Sequence, residues 1–188
     1  CDWSSDVCSS DLVLALTLSG FAFSSAAFAG QDMFLKVDSV QGDSIDRAHN
    51  QEIDILSWSW GAANSSSAQA GGGGGAGKAK IEDLTITKIM DSSSPQLLGA
   101  LATGKRFKSV VLSVRNQGPR PVDYFTLTLN DVFIVAYSTG ASTADNRVTE
   151  NFTFNFSSFA FSFLPLKADG TPKPAVVTKF DILANKLN

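Results

Sequence analysis

The chain has 188 residues, 44% of them apolar and 18% charged, with 15 Lys+Arg against 18 Asp+Glu and one His. That suits one globular domain, too hydrophobic to stay disordered and long enough to bury a core. A net charge of −3 excludes a broadly basic nucleic-acid binder, and two cysteines exclude a disulfide-rich scaffold or a four-cysteine zinc site.

Residues 1–12 (CDWSSDVCSSDL) read as translated sequencing-adapter DNA and are set aside as a fusion scar would be. Asp2, Asp6, Asp11, Cys1 and Cys8 go with them, so 15 basic side chains face 15 acidic ones and no cysteine remains. Residues 13–30 carry no charge and contain Ala27-Phe28-Ala29, the small-x-small pattern that signal peptidase cleaves. We expect residues 13–29 to be the h-region and cleavage site of a signal peptide without its n-region. At 17 residues, with Ser and Gly inside, the stretch falls short of a spanning helix, which prefers about 20 apolar residues. Residues 30–188 are then a single domain.

That domain reads as strands with one helix. Residues 33–40 alternate in part. Residues 52–60 (EIDILSWSW) alternate throughout, with Ile53, Ile55, Ser57 and Ser59 on one parity and Asp54, Leu56, Trp58 and Trp60 on the other. Residues 80–88 form the next strand pattern. Three serines at 92–94 offer N-caps, Pro95 suits a first turn, and Gly104 is a natural stop. With Leu97, Leu98 and Leu101 as an apolar stripe, they predict a helix over 94–103. Strand patterns resume at 107–115, 124–135, 148–163 and 176–183. Within 148–163, Phe152, Phe154 and Phe156 share one parity, and Phe159, Phe161 and Phe163 share the other. A bulge or tight turn near Ser157 would return both sets to one face. Many closely spaced strands imply a sandwich or barrel.

Candidate chemistry is sparse. Gly72 with Gly77-Lys78 matches G-x-x-x-x-G-K, but Ala79 stands where Ser or Thr should bind magnesium, and a strand pattern follows where a helix should. A flexible loop is the better reading. His49 is the only histidine and lies in a turn-like stretch, so we expect it at the surface. Asp145, Asn146, Arg147, Glu150 and Asn151 suggest a turn with a local Arg–Glu pair. Lys105, Arg106 and Lys108 suggest a solvated basic run. Asn64 and Asn151 begin glycosylation sequons to which we give no weight. No catalytic residue, metal site or cofactor follows from these residues. An exported, neutral, β-rich domain of this kind suits assembly or binding better than catalysis.

An ordered set of motifs carries a resemblance. Residues 32–36 (DMFLK), 52–61 (EIDILSWSWG), the glycine run ending in Lys78, and 83–88 (DLTITK) come first. Residues 94–97 (SPQL), 102–105 (ATGK), 138–140 (STG) and 147–156 (RVTENFTFNF) follow. Together they resemble the haemolysin-coregulated protein (Hcp) family, the tube proteins of type VI secretion. The resemblance implies a mainly β fold, a curved β-barrel-like sandwich with one short flanking α-helix. It implies no enzyme activity. It implies homo-hexameric rings that stack into a hollow tube and carry effector proteins, alongside other secretion-tube components. It involves no nucleic acid, and no membrane after signal cleavage. Residues 57–77 resemble the family's extended loop, which reaches a neighbouring ring. Trp58, Trp60 and Gly61 would stand at its base, with Gly71, Gly72, Gly73, Gly74, Gly75 and Gly77 on the return. Intramolecular core is the alternative place for both tryptophans.

Two features depart from the family. A standard tube subunit starts in the cytoplasm without a cleaved signal and is then secreted, whereas residues 13–29 point to the periplasm or beyond. Phe159, Phe161 and Phe163 also give a late strand more apolar than expected. The resemblance therefore suggests an exported variant. A standard subunit with a misread N-terminus and an exported monomeric β-sandwich binding module are the alternatives.

Overall fold

The computed structural model describes residues 30–64, 78–118, 120–143, 146–167 and 170–187. The adapter-like and leader-like stretches, the glycine run and Asp145 lie outside the described residues. Eleven strands are seen: β1 (Gln31–Val37), β2 (Ile53–Ser59), β3 (Ala62–Asn64), β4 (Ala79–Ile81), β5 (Leu84–Ile89), β6 (Phe107–Asn116), β7 (Asp123–Gly140), β8 (Thr149–Asn155), β9 (Ser158–Phe163), β10 (Val176–Asp181) and β11 (Lys186–Leu187). One helix, α1 (Ser94–Thr103), sits between β5 and β6.

The main sheet runs β11-β10-β9-β7-β6-β1-β2-β5-β8, and β8 pairs back onto β7. Six strands, β7-β6-β1-β2-β5-β8, therefore close into a barrel. Closure removes the open edges that would otherwise template pairing. β9, β10 and β11 stay outside the closed ring of strands as a wing. Strands β3 and β4 form a separate two-stranded ribbon.

β7 makes both arrangements possible. Its first half pairs with β6 and β9, and its second half pairs with β8. Chain β8–β9 thus runs back along a single edge of β7. At Phe156–Ser157 it breaks, so β8 goes on to β5 while β9 goes on to β10. β7 kinks at the same level, where Asp131 has φ 59°. Buried positions in β7 switch there from Phe125, Leu127 and Leu129 to Val132 and Ile134. The Ser157 N–H donates to the Asn130 carbonyl (3.1 Å), and the Ser157 hydroxyl donates to the Asp131 carboxylate (2.9 Å). This break does what the phenylalanine parity predicts. Phe152, Phe154, Phe156 and Phe159 all face the core, and the Phe156 and Phe159 rings meet edge-on at 6.3 Å. Phe161 packs against the same core and only Phe163 is exposed. The late strand's aromatics are therefore mostly core, not an apolar surface.

β2 corrects the sequence reading. Its register against β5 shifts between Ile55 and Ser57, so Leu56 is the extra residue of a bulge. Ile53 and Ile55 are buried before it, and Trp58 and Trp60 pack inward after it. One extra residue flips every later side chain to the other face. The two isoleucines and the two tryptophans, predicted on opposite parities, share one face.

The helix has the predicted bounds. Gly104 adopts φ 64°, and the Lys105 N–H donates to the Ala100 carbonyl (2.9 Å), closing a left-handed C-terminal cap that favours glycine. Its buried residues are Ser94, Leu97 and Ala100, so the stripe is one of smaller residues than predicted and Leu98 points outward. The predicted strand over 80–88 is divided, with β4 in the ribbon and β5 in the barrel.

Candidate assembly site

One end of the barrel is closed by charge. On β5, Leu84, Ile86 and Lys88 alternate inward, which puts a lysine in the core with no exposed surface. Its ammonium lies 3.1 Å from Glu150 Oε2 and 2.8 Å from Asp91 Oδ1. It also donates to the Ser94 hydroxyl (2.8 Å) and the Ile89 carbonyl (2.9 Å). Tyr137 donates its hydroxyl to Glu150 Oε1 at 2.9 Å. Burial, then this bond, pushes the Tyr137 phenol above its ordinary pKa. Ser94 belongs to the first turn of α1, so the cluster ties the helix to β5, β7 and β8. Glu150 was predicted to pair with Arg147. It pairs with Lys88 instead, because it faces inward and Arg147 is exposed.

A second cluster holds the strap of residues 41–52 on the outer face of β1 and β6. His49 is buried, not at the surface as predicted. Its ring stacks on Phe34 at 4.1 Å, its Nδ1 meets Glu52 at 2.8 Å and its Nε2 meets Asp123 at 3.2 Å. The Arg115 guanidinium lies 4.9 Å over the same phenylalanine and grips the Asp46 carboxylate with both terminal nitrogens. That grip, helped by the Ala48 and His49 N–H groups, holds Asp46 well below the usual carboxylate range. It also raises the Arg115 pKa. Gly42 starts the strap in close contact with β2, where a Cβ would collide with the Glu52 carbonyl. The basic run is at the surface, where Arg106 pairs with Asp131 at 2.8 Å and lies 4.4 Å over Phe133. Among the described residues, no group of three or more His, Cys, Asp or Glu side chains could hold a metal ion, and no helix is long and apolar enough to cross a membrane.

Both clusters fasten elements together, and a cavity of about 380 Å³ lies beside Phe34 and Asp46 of the second. What projects is the ribbon. Trp58 stacks on Phe125 (5.2 Å, 6° between planes), and Trp60 meets Phe159 edge-on at 4.9 Å. Both tryptophans thus anchor the ribbon's foot to the barrel and the wing. The Gly61 carbonyl accepts from the Glu82 N–H (2.9 Å), and Ala62 to Asn64 pair with Ile81 to Ala79. Every residue of β3 is exposed. Gly71, Gly72, Gly73, Gly74, Gly75 and Gly77 lie outside the described residues.

A family model described as "Type VI secretion system effector, Hcp" matches residues 34–163. The chain is also 49% identical over 140 residues to Protein hcp1 of Pseudomonas aeruginosa, covering 74% of this chain and 86% of that protein. The chain belongs to the Hcp family. A solved structure described as a type six secretion system protein has a TM-score of 0.81 at 26% identity, covering 85% of this chain and all of that one. Hcp1 from Salmonella typhimurium has a TM-score of 0.70 at 28% identity, covering 84% of this chain and 99% of that one. The mainly β fold, the closed six-stranded barrel and the single short helix match Hcp structures. Hcp is a family of type VI secretion-tube proteins and not an enzyme family. The family model runs from within β1 to the end of β9, so it spans the whole barrel.

Proposed function

We propose that this chain is a ring-forming subunit whose hexameric rings stack into a hollow tube that carries or exports effectors. The observation that supports this most directly is the Hcp barrel with two elements leaving it, an exposed ribbon and an open-edged wing. A compact binding module needs neither. A ring subunit needs two different surfaces, because a closed ring is built from heterologous contacts. The ribbon is the stem of the candidate stacking loop. In this reading Trp58, Trp60 and Gly61 set its direction, and the glycines at 71–75 and 77 belong to the same loop. The tryptophans act from inside their own subunit. No step of chemistry is required of any residue, and no cofactor enters. The Ala27-Phe28-Ala29 motif supports an exported variant of the subunit.

Light scattering of the purified protein over a range of concentrations tests the reading. A mass six times that of one chain is expected. A monomer at every concentration would favour a monomeric binding module instead.

A further inference from the structure

Resting on the ring-subunit reading, we propose which two surfaces meet: the β10–β11 wing of one copy docks on the β2–β5 end of the next. The wing is the first surface. Val176 is 62% exposed, Leu183 79% and Leu187 65%, an unusual concentration of apolar side chains on so short a segment. β10 pairs with β11 only at Phe180 and Asp181, so the edge of Val176 to Lys179 is free among the described residues. Free apolar edges are liabilities unless something covers them. Residues 164–188 carry four lysines against two aspartates, and Lys173, Lys179 and Lys186 are exposed.

The second surface carries exposed apolar side chains and acidic neighbours. The β2 bulge turns Leu56 outward, 49% exposed, and Met90 just after β5 is 47% exposed. Between them lies a concavity of about 260 Å³, bordered by three carboxylates, Asp43, Asp54 and Asp91, and by one basic side chain, Arg147. It is wide enough for a leucine side chain, and Asp43 and Asp54 are exposed at its rim. Residues 30–60 carry six acidic side chains against two basic ones. An apolar knob flanked by lysines thus finds an apolar hollow flanked by carboxylates, the arrangement that steers encounter and fixes register.

Topology places the two surfaces apart. The wing leaves the barrel at β7. Round the barrel, β2 is three strands from β7 in either direction. A knob on one side and a hollow on the opposite side cannot satisfy each other within one copy. They can do so head-to-tail between copies, and that contact repeats until a ring closes.

The test uses two surface variants of the full chain. Leu183→Arg/Leu187→Arg disables the wing, and Leu56→Arg/Met90→Arg disables the hollow. All four side chains are exposed, so circular dichroism and thermal melting should match the unaltered protein. Light scattering should find each variant alone as a monomer. Mixed in equal amounts they should form a dimer of twice the monomer mass, because one intact knob and one intact hollow remain. Assembly of either variant to the same mass as the unaltered protein would overturn the surfaces but leave the ring reading standing. A mixture that stays monomeric would also overturn the pairing. An unaltered protein that is itself monomeric would overturn both.

Discussion

Lys88 sets the terms at the scale of single residues. A fully buried ammonium survives only when every proton has an acceptor, and here Glu150, Asp91, Ser94 and Ile89 supply them. Lys88→Met strands the Glu150 carboxylate in the core and is expected to cost about 3–5 kcal/mol in urea unfolding. Lys88→Met/Glu150→Met removes both charges and should recover most of that loss. A double variant as unstable as the single one would mean that the pair itself, not the stranded charge, carries the stability. Asp46 gives a pH dependence with a definite sign. Its folded pKa lies below the unfolded value of 3.8, so its grip on Arg115 stabilises the fold above that value. The contribution is lost as pH falls through the folded pKa. Asp46→Asn should therefore lower the urea midpoint near neutral pH and narrow the gap to the unaltered protein under strong acid. None of these partnerships is visible locally. Lys88 ends a strand pattern as a surface lysine would, and its partner Glu150 lies 62 positions away. His49 sits among turn residues, yet one of its two carboxylate partners is 74 positions away. Local reading placed both His49 and Glu150 in the wrong surroundings for that reason.

Elements were more legible, because periodicity is a local property. The helix bounds follow from Pro95 and Gly104. The aromatic strand was legible for the opposite reason to Lys88. Six phenylalanines mark both parities, so the switch between them is written in the residues themselves. Leu56 hid its bulge, because an apolar residue fits an unbroken strand pattern as well as a broken one. Deleting Leu56 puts Ile53, Ile55, Trp58 and Trp60 on one parity of an unbroken strand. The tryptophans should then stay inward with unchanged emission, whereas a red shift of the emission would contradict the bulge. The kink at Asp131 makes a separate prediction. Its φ of 59° and its contacts with Ser157 and Arg106 are distinct contributions. A left-handed backbone costs an ordinary residue about 1–2 kcal/mol, a penalty that Asn and Gly largely escape. Asp131→Asn should be mildest, Asp131→Gly intermediate and Asp131→Ala worst in thermal melting. Equal effects of Gly and Ala would show that the backbone conformation is not what Asp131 secures.

For the molecule as a whole, the fold class was within reach of sequence and the architecture was not. Many short strands imply a barrel or sandwich, but closure rests on one strand, β7, serving two partners on one edge. That choice depends on the coincidence of Asp131 with Ser157, which are 26 positions apart in sequence. In the candidate assembly site, local reading left Trp58 and Trp60 between a loop base and intramolecular core, and both pack within their own subunit, on Phe125 and Phe159. The role proposed for the wing was not legible, because residues 176–183 read as one more strand until their exposure is seen. The barrel, the ribbon and the wing are the parts that the proposed ring assembly uses. Negative-stain microscopy of the purified protein tests this most directly. Six-fold rings with a central hole, stacking into tubes as concentration rises, are the expected images. A field of single particles with no rings at any concentration would contradict the tube-subunit reading.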